Sequence, residues 1–449
     1  MIGDRGFVVV EESLAQAAPL HFSFETGLLA LSCLLILSIF TEKIGRRLGI
    51  PGAIFLFFVG LFFHVSGFSF KGFPLEEVHA IALTVLLFFS GLSFDRSLLK
   101  RTGQLMSSVQ LAVLGTVFSM AFLLLYLRFG IGVFQSWMGC LDGVRPSIVS
   151  LITVIIVASV AVQDWNVFAF VSGKIKDLKS IMSDIFKVET AISASIAVAI
   201  AELAILLWLE LNPAFGAAYQ GGELLSKIFY GIWLGIATGL AFGFLLTLVI
   251  RFLVTSNSQL VLAALAFVFA GYVVTFVVAS QGGYLCALVM GVVTSLVYRN
   301  SSTEVEISFL SESLDSVNIA SEAILFFVVG LGLNAGSFLM HLPVAFYTWV
   351  GIVLVRPISV SLFFRRGHVP PKEKMLLASF SPKGAISMAL VMTAPTMLEH
   401  TFGMDVSGAF SPESLEFMAD VVCGAVLISI LFKSFLFPRL HRQLLSVES

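Results

Sequence analysis

The sequence predicts an all-α polytopic membrane protein of about thirteen transmembrane helices, arranged as two inverted six-helix repeats in which helices 5 and 12 are broken. Three observations carry this. The chain is 58% hydrophobic and only 12% charged over 449 residues, which leaves too little polar surface for a soluble domain of that size. Its apolar stretches recur at about 20 residues, the length that crosses a bilayer as a helix, and they lack the polar–apolar alternation of barrel strands. A Phe-x-x-Gly-Leu string at residues 88–92 is echoed in the second half at residues 327–331.

Taken in order, the apolar segments fall at about 24–41, 51–67, 78–94, 106–129, 147–171, 182–209, 227–250, 259–279, 283–298, 319–338, 342–364, 375–396 and 413–436. They are numbered helices 1 to 13 below. Basic residues cluster at every second connection, from Lys43, Arg46 and Arg47 through Lys174, Lys176 and Lys179 to Lys433, Arg439 and Arg442. Eighteen Lys and Arg lie on that side and five on the other, so the positive-inside rule places the N-terminus outside and the C-terminus in the cytoplasm. The expected organisation is an extracytoplasmic segment 1–23, a single transmembrane domain 24–438 and a short cytoplasmic tail 439–449. Within the domain, repeat 1 spans about 24–209, a linker helix about 227–250 and repeat 2 about 259–436. No cleaved signal peptide is read in the first 22 residues, which lack a basic region followed by an apolar core.

The repeat rests on two matches in the same order. Residues 86–95 and 325–334 share Phe88, Gly91, Leu92 and Phe327, Gly330, Leu331, and Gly52 to Gly60 and Gly283 to Gly291 frame apolar runs of equal length. These pair helix 2 with helix 9 and helix 3 with helix 10. The offset of seven helices is odd, so the second copy lies upside down. Inverted repeats are a signature of secondary transporters, whose sites form where helices break near the membrane midplane. The same offset pairs helix 5, interrupted by Gln163-Asp164-Trp165-Asn166, with helix 12, interrupted by Ser381-Pro382-Lys383-Gly384. Proline removes a backbone donor, and unwound backbone exposes carbonyl and N–H ends that need counter-charges. Lys383 is expected to balance the former and Asp164 the latter; Gly384 loosens the turn.

Four charges therefore stand where an apolar chain should tolerate none: Asp164, Glu189, Arg356 and Lys383. Each costs at least about 2.5–3.5 kcal/mol at the bilayer centre. Asp164 is the leading candidate to exchange a proton for a cation, with Gln163, Asn166, Thr190 and Ser193 as neutral oxygen ligands. Glu189 and Arg356 are expected to pair, since an unpaired buried charge costs several kcal/mol; in the alternative, Glu189 is the proton carrier. Arg356 cannot be one, because arginine stays protonated. Glu202 and Glu322 are read as solvated at helix ends and His64 as a packed or solvated residue near the outer end of helix 2. Cys33, Cys140, Cys286 and Cys423 lack metal-type spacing and are read as packing residues.

With these residues in place, the chain resembles the monovalent cation/proton antiporter superfamily, in its sodium/proton-exchanger branch, over about residues 25–436. The matches are Gly49-Ile50-Pro51 opening helix 2, Phe88-Phe89-Ser90-Gly91-Leu92, Gln163-Asp164-Trp165 where the family shows Thr-Asp-Pro, Glu189-Thr190 for its Glu-Ser, Arg356 in helix 11, and Lys383-Gly384-Ala385 for an Arg-Gly-Ala. The resemblance implies a homodimer, thirteen helices, and exchange of Na⁺ or K⁺ for H⁺ by an elevator-like motion of a core domain. It also implies a structural Glu189–Arg356 bridge, and the Arg in helix 11 resembles electroneutral one-for-one exchangers. One position departs from the pattern. The branch carries Asn-Asp four and five residues after the Glu, the Asp being its ion ligand, and here those positions are Ser193 and Ala194, followed by Ser195. Either Asp164 or Glu189 takes over that role, or substrate and coupling differ.

The expected function is a cation/proton antiporter in the cell membrane, with the lipid bilayer, the transported cation and H⁺ as partners, no cofactor and no nucleic acid. The rivals are a transporter of the same fold for another solute, such as an anion drawn by Lys383, and a channel or transport-inactive sensor. An enzyme is disfavoured, because the sequence offers no His/Cys metal cluster and no nucleophile–base arrangement.

Overall fold

The computed structural model describes residues 24–66, 75–92, 94, 102–138, 144–173, 182, 185–190, 192–193, 196–197, 200, 205, 208, 221–254, 256–279, 282–298, 304–364, 371–402 and 410–446. Among them the secondary structure is helical throughout. The chain is an integral, multi-pass membrane protein. Its helices are α1 (Phe24–Leu48), α2 (Ala53–Val65), α3 (Leu75–Leu92) and α4, the last built from Thr102–Gln110, a π-helical turn Leu111–Gly115 and Thr116–Met138. There follow α5a (Pro146–Ala161), α5b (Trp165–Ser172) and α6, helical over 185–190 and described at isolated residues as far as Trp208. The second half holds α7 (Gly221–Phe252), α8 (Asn257–Val278), α9 (Gly282–Tyr298), α10 (Glu304–Gly332), α11 (Ala335–Phe363), α12a (Pro371–Ser379), α12b (Ala385–Phe402) and α13 (Pro412–Ser446).

Six of these are long and apolar enough to cross a bilayer, in windows Met106–Gly130, Phe229–Phe252, Ser258–Val278, Leu314–Gly332, Ala335–Phe363 and Pro412–Leu436, and the bent pair α5a–α5b adds a seventh. By contrast α2 has 13 residues, about 20 Å of rise against the roughly 30 Å of a hydrocarbon core. Such short helices are tolerated because their partners cover them. α2 lies along α10, and α3 along α9.

Glycine makes those two contacts possible. A Cβ on Gly60 of α2 would collide with the Phe327 carbonyl oxygen and the Leu331 nitrogen of α10, while one on Gly330 would strike the Phe57 carbonyl oxygen and the Leu61 nitrogen. At the other junction a Cβ on Gly291 of α9 would meet the Phe88 carbonyl oxygen and the Leu92 nitrogen of α3, and one on Gly91 the Leu288 carbonyl oxygen and the Val292 nitrogen. The same backbone-on-backbone contact is made twice, with roles exchanged.

The helices form two contact groups, or bodies, that share one hydrophobic core. In one, α7 packs on α8 and α9, α9 on α3, and α10 on α2 and α3. In the other, α11 packs on α13, α4 and α12a, and α5a meets α4, α12b and α13. There Tyr126 of α4 stacks on Tyr347 of α11 at 4.3 Å between ring centroids. Contacts of α12b with α3 and α10 join the bodies.

Several boundaries differ from the sequence reading. α10 begins at Glu304 instead of about 319, and α11 at Ala335, where Asn334 caps it by accepting from the Gly336 N–H at 2.9 Å. The moved boundary puts Glu322 deep inside a helix and not at a solvated end. Lys433, counted among loop cations, is buried in α13 and donates to Ser429 Oγ at 2.9 Å. His64 is exposed and its Nδ1 lies 2.9 Å from the Leu331 carbonyl oxygen. Cys286 and Cys423 are buried in packing positions, whereas Cys33 is exposed on α1. Residues 1–23, Ala194, Ser195, Glu202, Cys140, the basic residues Lys71, Arg96, Lys100, Arg101, Lys174, Lys176, Lys179, Arg299, Arg365 and Arg366, and the last three residues of the tail lie outside the described residues.

Candidate functional site

Two helices lose their regular hydrogen bonding in the middle of the apolar interior. α5 unwinds at residues 162–164, where Val162 and Asp164 take extended backbone angles, and restarts at Trp165 after a bend of 41°. α12 unwinds over residues 380–384. The cause of the second break is local: Pro382 has no N–H to give a helix, and Gly384 weakens the turn that follows. The extended segments cross, and the Asp164 N–H donates to the Pro382 carbonyl oxygen at 2.9 Å.

Each crossing helix leaves a carbonyl end on its first half and an N–H end on its second, equivalent to about half a unit charge of either sign. The buried charges lie on those ends. Lys383 Nζ donates to the carbonyls of Ala161 and Val162, at 3.0 and 2.9 Å, at the end of α5a. Arg356 Nε of α11 donates to the carbonyls of Leu377 and Phe380, at 3.2 and 3.1 Å, at the end of α12a. Asp164, 1% exposed, serves both positive ends: Oδ1 accepts from the Asn166 N–H at 2.9 Å, and Oδ2 faces the Ile386 N–H of α12b at 3.5 Å. Gly384 is the space-maker, since a Cβ there would lie 2.5 Å from Asp164 Oδ2.

The Arg356 guanidinium also meets Glu189 of α6 in a forked pair. Nη2 donates to Oε2 at 2.8 Å and Nη1 to Oε1, in a buried setting beside the Phe186 ring. Both Glu189 oxygens are thus engaged. This two-bond geometry is the strong form of a carboxylate–guanidinium contact.

The neutral candidates divide into two groups. Gln163 and Ser193 act as a clip: the Gln163 N–H donates to Ser193 Oγ at 3.2 Å, Ser193 Oγ donates to the Thr190 carbonyl at 3.4 Å, and Gln163 Oε1 accepts from Ser381 Oγ at 3.1 Å. Thr190 Oγ1 is buried without a hydrogen-bond partner among the described residues. Asn166 faces the other way, where its Oδ1 accepts from Asn318 Nδ2 of α10 at 2.9 Å.

That side opens into a cavity of about 290 Å³. Polar residues line it from two facing stripes at helical spacing, Ser38, Thr41, Glu42 and Arg46 on α1 and Asp315, Asn318 and Glu322 on α10, with Asn166 closing the inner end. Glu42 Oε1 accepts from Arg46 Nε at 2.9 Å. Asn166, and not Asp164, is the member of the polar cluster that reaches the lining. The α10 stripe escaped the sequence reading, although three polar residues at i, i+3 and i+7 on an apolar helix are a legible signal once the helix start is known. A second buried polar group, also unforeseen, joins α11 to α13: His341 Nδ1 lies 2.7 Å from Asp420 Oδ2, which accepts from Ser337 Oγ at 2.8 Å.

Comparison with known proteins agrees with this architecture. The fold is similar to the structure of the sodium proton antiporter MjNhaP1 from Methanocaldococcus jannaschii at pH 8, with a TM-score of 0.72 over 94% of this chain and 99% of that one. The two sequences are 18% identical, so the likeness is one of fold. No curated protein sequence matches the chain. The profile of the family described as sodium/hydrogen exchanger, transmembrane, matches residues 31–442. Matched over nearly its whole length, the chain belongs to the sodium/hydrogen exchanger family.

Proposed function

We propose that the protein is a secondary active transporter that exchanges a monovalent cation, Na⁺ or K⁺, for H⁺ by alternating access. Asp164 is its principal ion and proton carrier. The observation that carries the reading is the crossing: a carboxylate held where two unwound segments meet, inside a member of an exchanger family. One carboxylate that takes either a proton or a cation couples the two fluxes, because the loaded site is neutral and crosses while the empty charged site does not. Gln163, Thr190 and Ser193 supply neutral oxygens around it, while Asn166 holds it through its backbone N–H and turns its side-chain oxygen to the cavity.

Glu189 and Arg356 hold the core together and do not carry the ion. In support, both Glu189 oxygens are engaged by a guanidinium that also caps α12a. Lys383 balances the end of α5a. Ser193 and Ala194 replace the carboxylate that the family resemblance leads one to expect, which throws the exchange chemistry onto Asp164. The chain forms one transmembrane domain, 24–438, of thirteen helices in two inverted repeats about the linker helix at 227–250. The exchanged glycine contacts of α2–α10 and α9–α3 support the repeat. The assembly is a homodimer in the cell membrane, N-terminus outside and C-terminus in the cytoplasm, serving pH homeostasis.

The test is proton–cation exchange by the purified protein in proteoliposomes, with Na⁺, K⁺ and Li⁺ across pH, for the native chain and Asp164→Asn. Loss of exchange in the variant is expected. Full retained antiport would reject Asp164 as the carrier, and no cation-driven proton flux in the native protein would favour transport of another solute.

A further inference from the structure

An ion entering the cavity from water does not meet Asp164 first. Asp164 lies behind Asn166, with its two oxygens turned to the starts of α5b and α12b. What the cavity presents is the polar stripe of α10. Asp315 is exposed, Asn318 and Glu322 follow at one-turn intervals, and Glu42 opposite is already paired with Arg46.

Asn318 is the telling residue. It is 2% exposed, its Nδ2 donates to Asn166 Oδ1 at 2.9 Å, and its own Oδ1 has no hydrogen-bond partner among the described residues. A buried carbonyl oxygen left without a donor is costly, and a bound cation removes that cost. Glu322, four residues on, stands on the same helix face and lines the same cavity as Asn318 and Asn166. One carboxylate and two amide oxygens from Asn318 and Asn166 form a hard, singly charged ligand set. That suits a monovalent alkali ion, which prefers oxygen ligands and needs one compensating charge.

We infer that Glu322, Asn318 and Asn166 form a second cation site at the inner end of this cavity, from which the ion passes to Asp164. The inference deepens the exchange reading and rests on it for the direction of transfer, but the site's occupancy can be tested without transport. Asn166 belongs to both sites: its backbone N–H holds Asp164 and its side chain faces the cavity. Glu322 is thus a binding residue in its own right, and its negative charge offsets the desolvation of the arriving ion.

Two measurements on the full-length protein test this. In detergent, Na⁺, K⁺ or Li⁺ as the chloride is titrated while the unfolding midpoint is followed, since an ion that binds the native state raises it. In proteoliposomes, the KM for the cation is measured at fixed pH. Glu322→Gln and Asn318→Leu are each expected to raise the half-saturating cation concentration about tenfold in both assays. Glu322→Asp, which keeps the charge, should restore most of the affinity and so separates loss of a ligand from misfolding. Asp164→Asn should stop exchange yet retain a cation-dependent midpoint shift. Unchanged cation affinity in Glu322→Gln overturns the second site, and so does a midpoint shift that vanishes with Asp164→Asn alone. A native protein that shows the shift but no exchange leaves the site standing and removes the antiport reading instead.

Discussion

The Asp164 N–H donates to the Pro382 carbonyl oxygen at 2.9 Å, so the unwound stretches of two helices far apart in sequence are hydrogen-bonded into one unit. Neither stretch can regain helical hydrogen bonding without breaking this contact. The side chains on either side, Lys383 and Asp164, then fix the ends that the breaks expose. A displacement of α12b would carry α5b with it, since Asp164 holds the first turns of both.

Gly384 sets how closely that unit packs. In Gly384→Ala the new Cβ would sit 2.5 Å from Asp164 Oδ2 and 2.8 Å from Val167 Cγ2. Overpacking of this kind costs about 1–3 kcal/mol, and here it also pushes the carboxylate off its two N–H donors. The expected outcome is a lower unfolding midpoint together with a reduced exchange rate in proteoliposomes, whereas Gly332→Ala, whose Cβ would have only the flexible end of Met392 within reach at 3.1 Å, should change neither appreciably.

Removing one member of the Glu189–Arg356 pair should destabilise the protein strongly, by roughly 3–5 kcal/mol, because a buried charge is left alone. Arg356→Met is expected to be the worse of the two, since it also strips the carbonyls of Leu377 and Phe380 of their donor. The double variant should recover part of the loss but less than a simple pair would. Thermal unfolding of the two single variants and the double checks this, and additive losses would speak against the pair as a unit.

Lys383→Met leaves the carbonyls of Ala161 and Val162 without their donor. Unmet buried acceptors cost about 1–3 kcal/mol each, so a marked fall in the unfolding midpoint is expected. Lys383→Arg retains a cation and several donors and should be the milder change. If methionine were tolerated without loss, balance of the α5a end would be ruled out as the role of Lys383.

The exchanged glycine contacts predict equivalence. Gly60→Ala and Gly291→Ala each place a methyl group against a carbonyl oxygen of the partner helix, Phe327 in one case and Phe88 in the other. Both should lower stability, and by similar amounts. A severe effect at one position and none at the other, measured by the same unfolding assay, would argue that the junctions are unrelated.

The four buried charges were legible because an apolar chain makes every charge conspicuous, and the two interruptions because Pro382, Gly384 and the Gln163–Asn166 cluster break an apolar run. The Phe-x-x-Gly-Leu strings pointed to helices 3 and 10. They could not say that each glycine is pressed against a partner backbone, a fact that needs both helices in space. Glu322 was misplaced for a related reason. Where nearly every residue is apolar, hydropathy marks the middle of a span well and its start poorly, so the true beginning of α10 at Glu304 was not evident. Lys433 was misread in the same way, as a loop cation, because nothing local distinguishes it from one.

The sequence by itself determined the class, the succession of apolar helices, the two breaks and the family, since these follow from composition, local periodicity and motif order. Only the tertiary structure decided which charge faces which. It showed that Lys383 reaches α5a and Arg356 reaches α12a, that Asp164 spans two helix starts, and that Asn166 rather than Asp164 borders the cavity. The physical reason is that the cost of a buried charge is relieved by partners from 21 to 222 residues away, and those partners are chosen by helix packing.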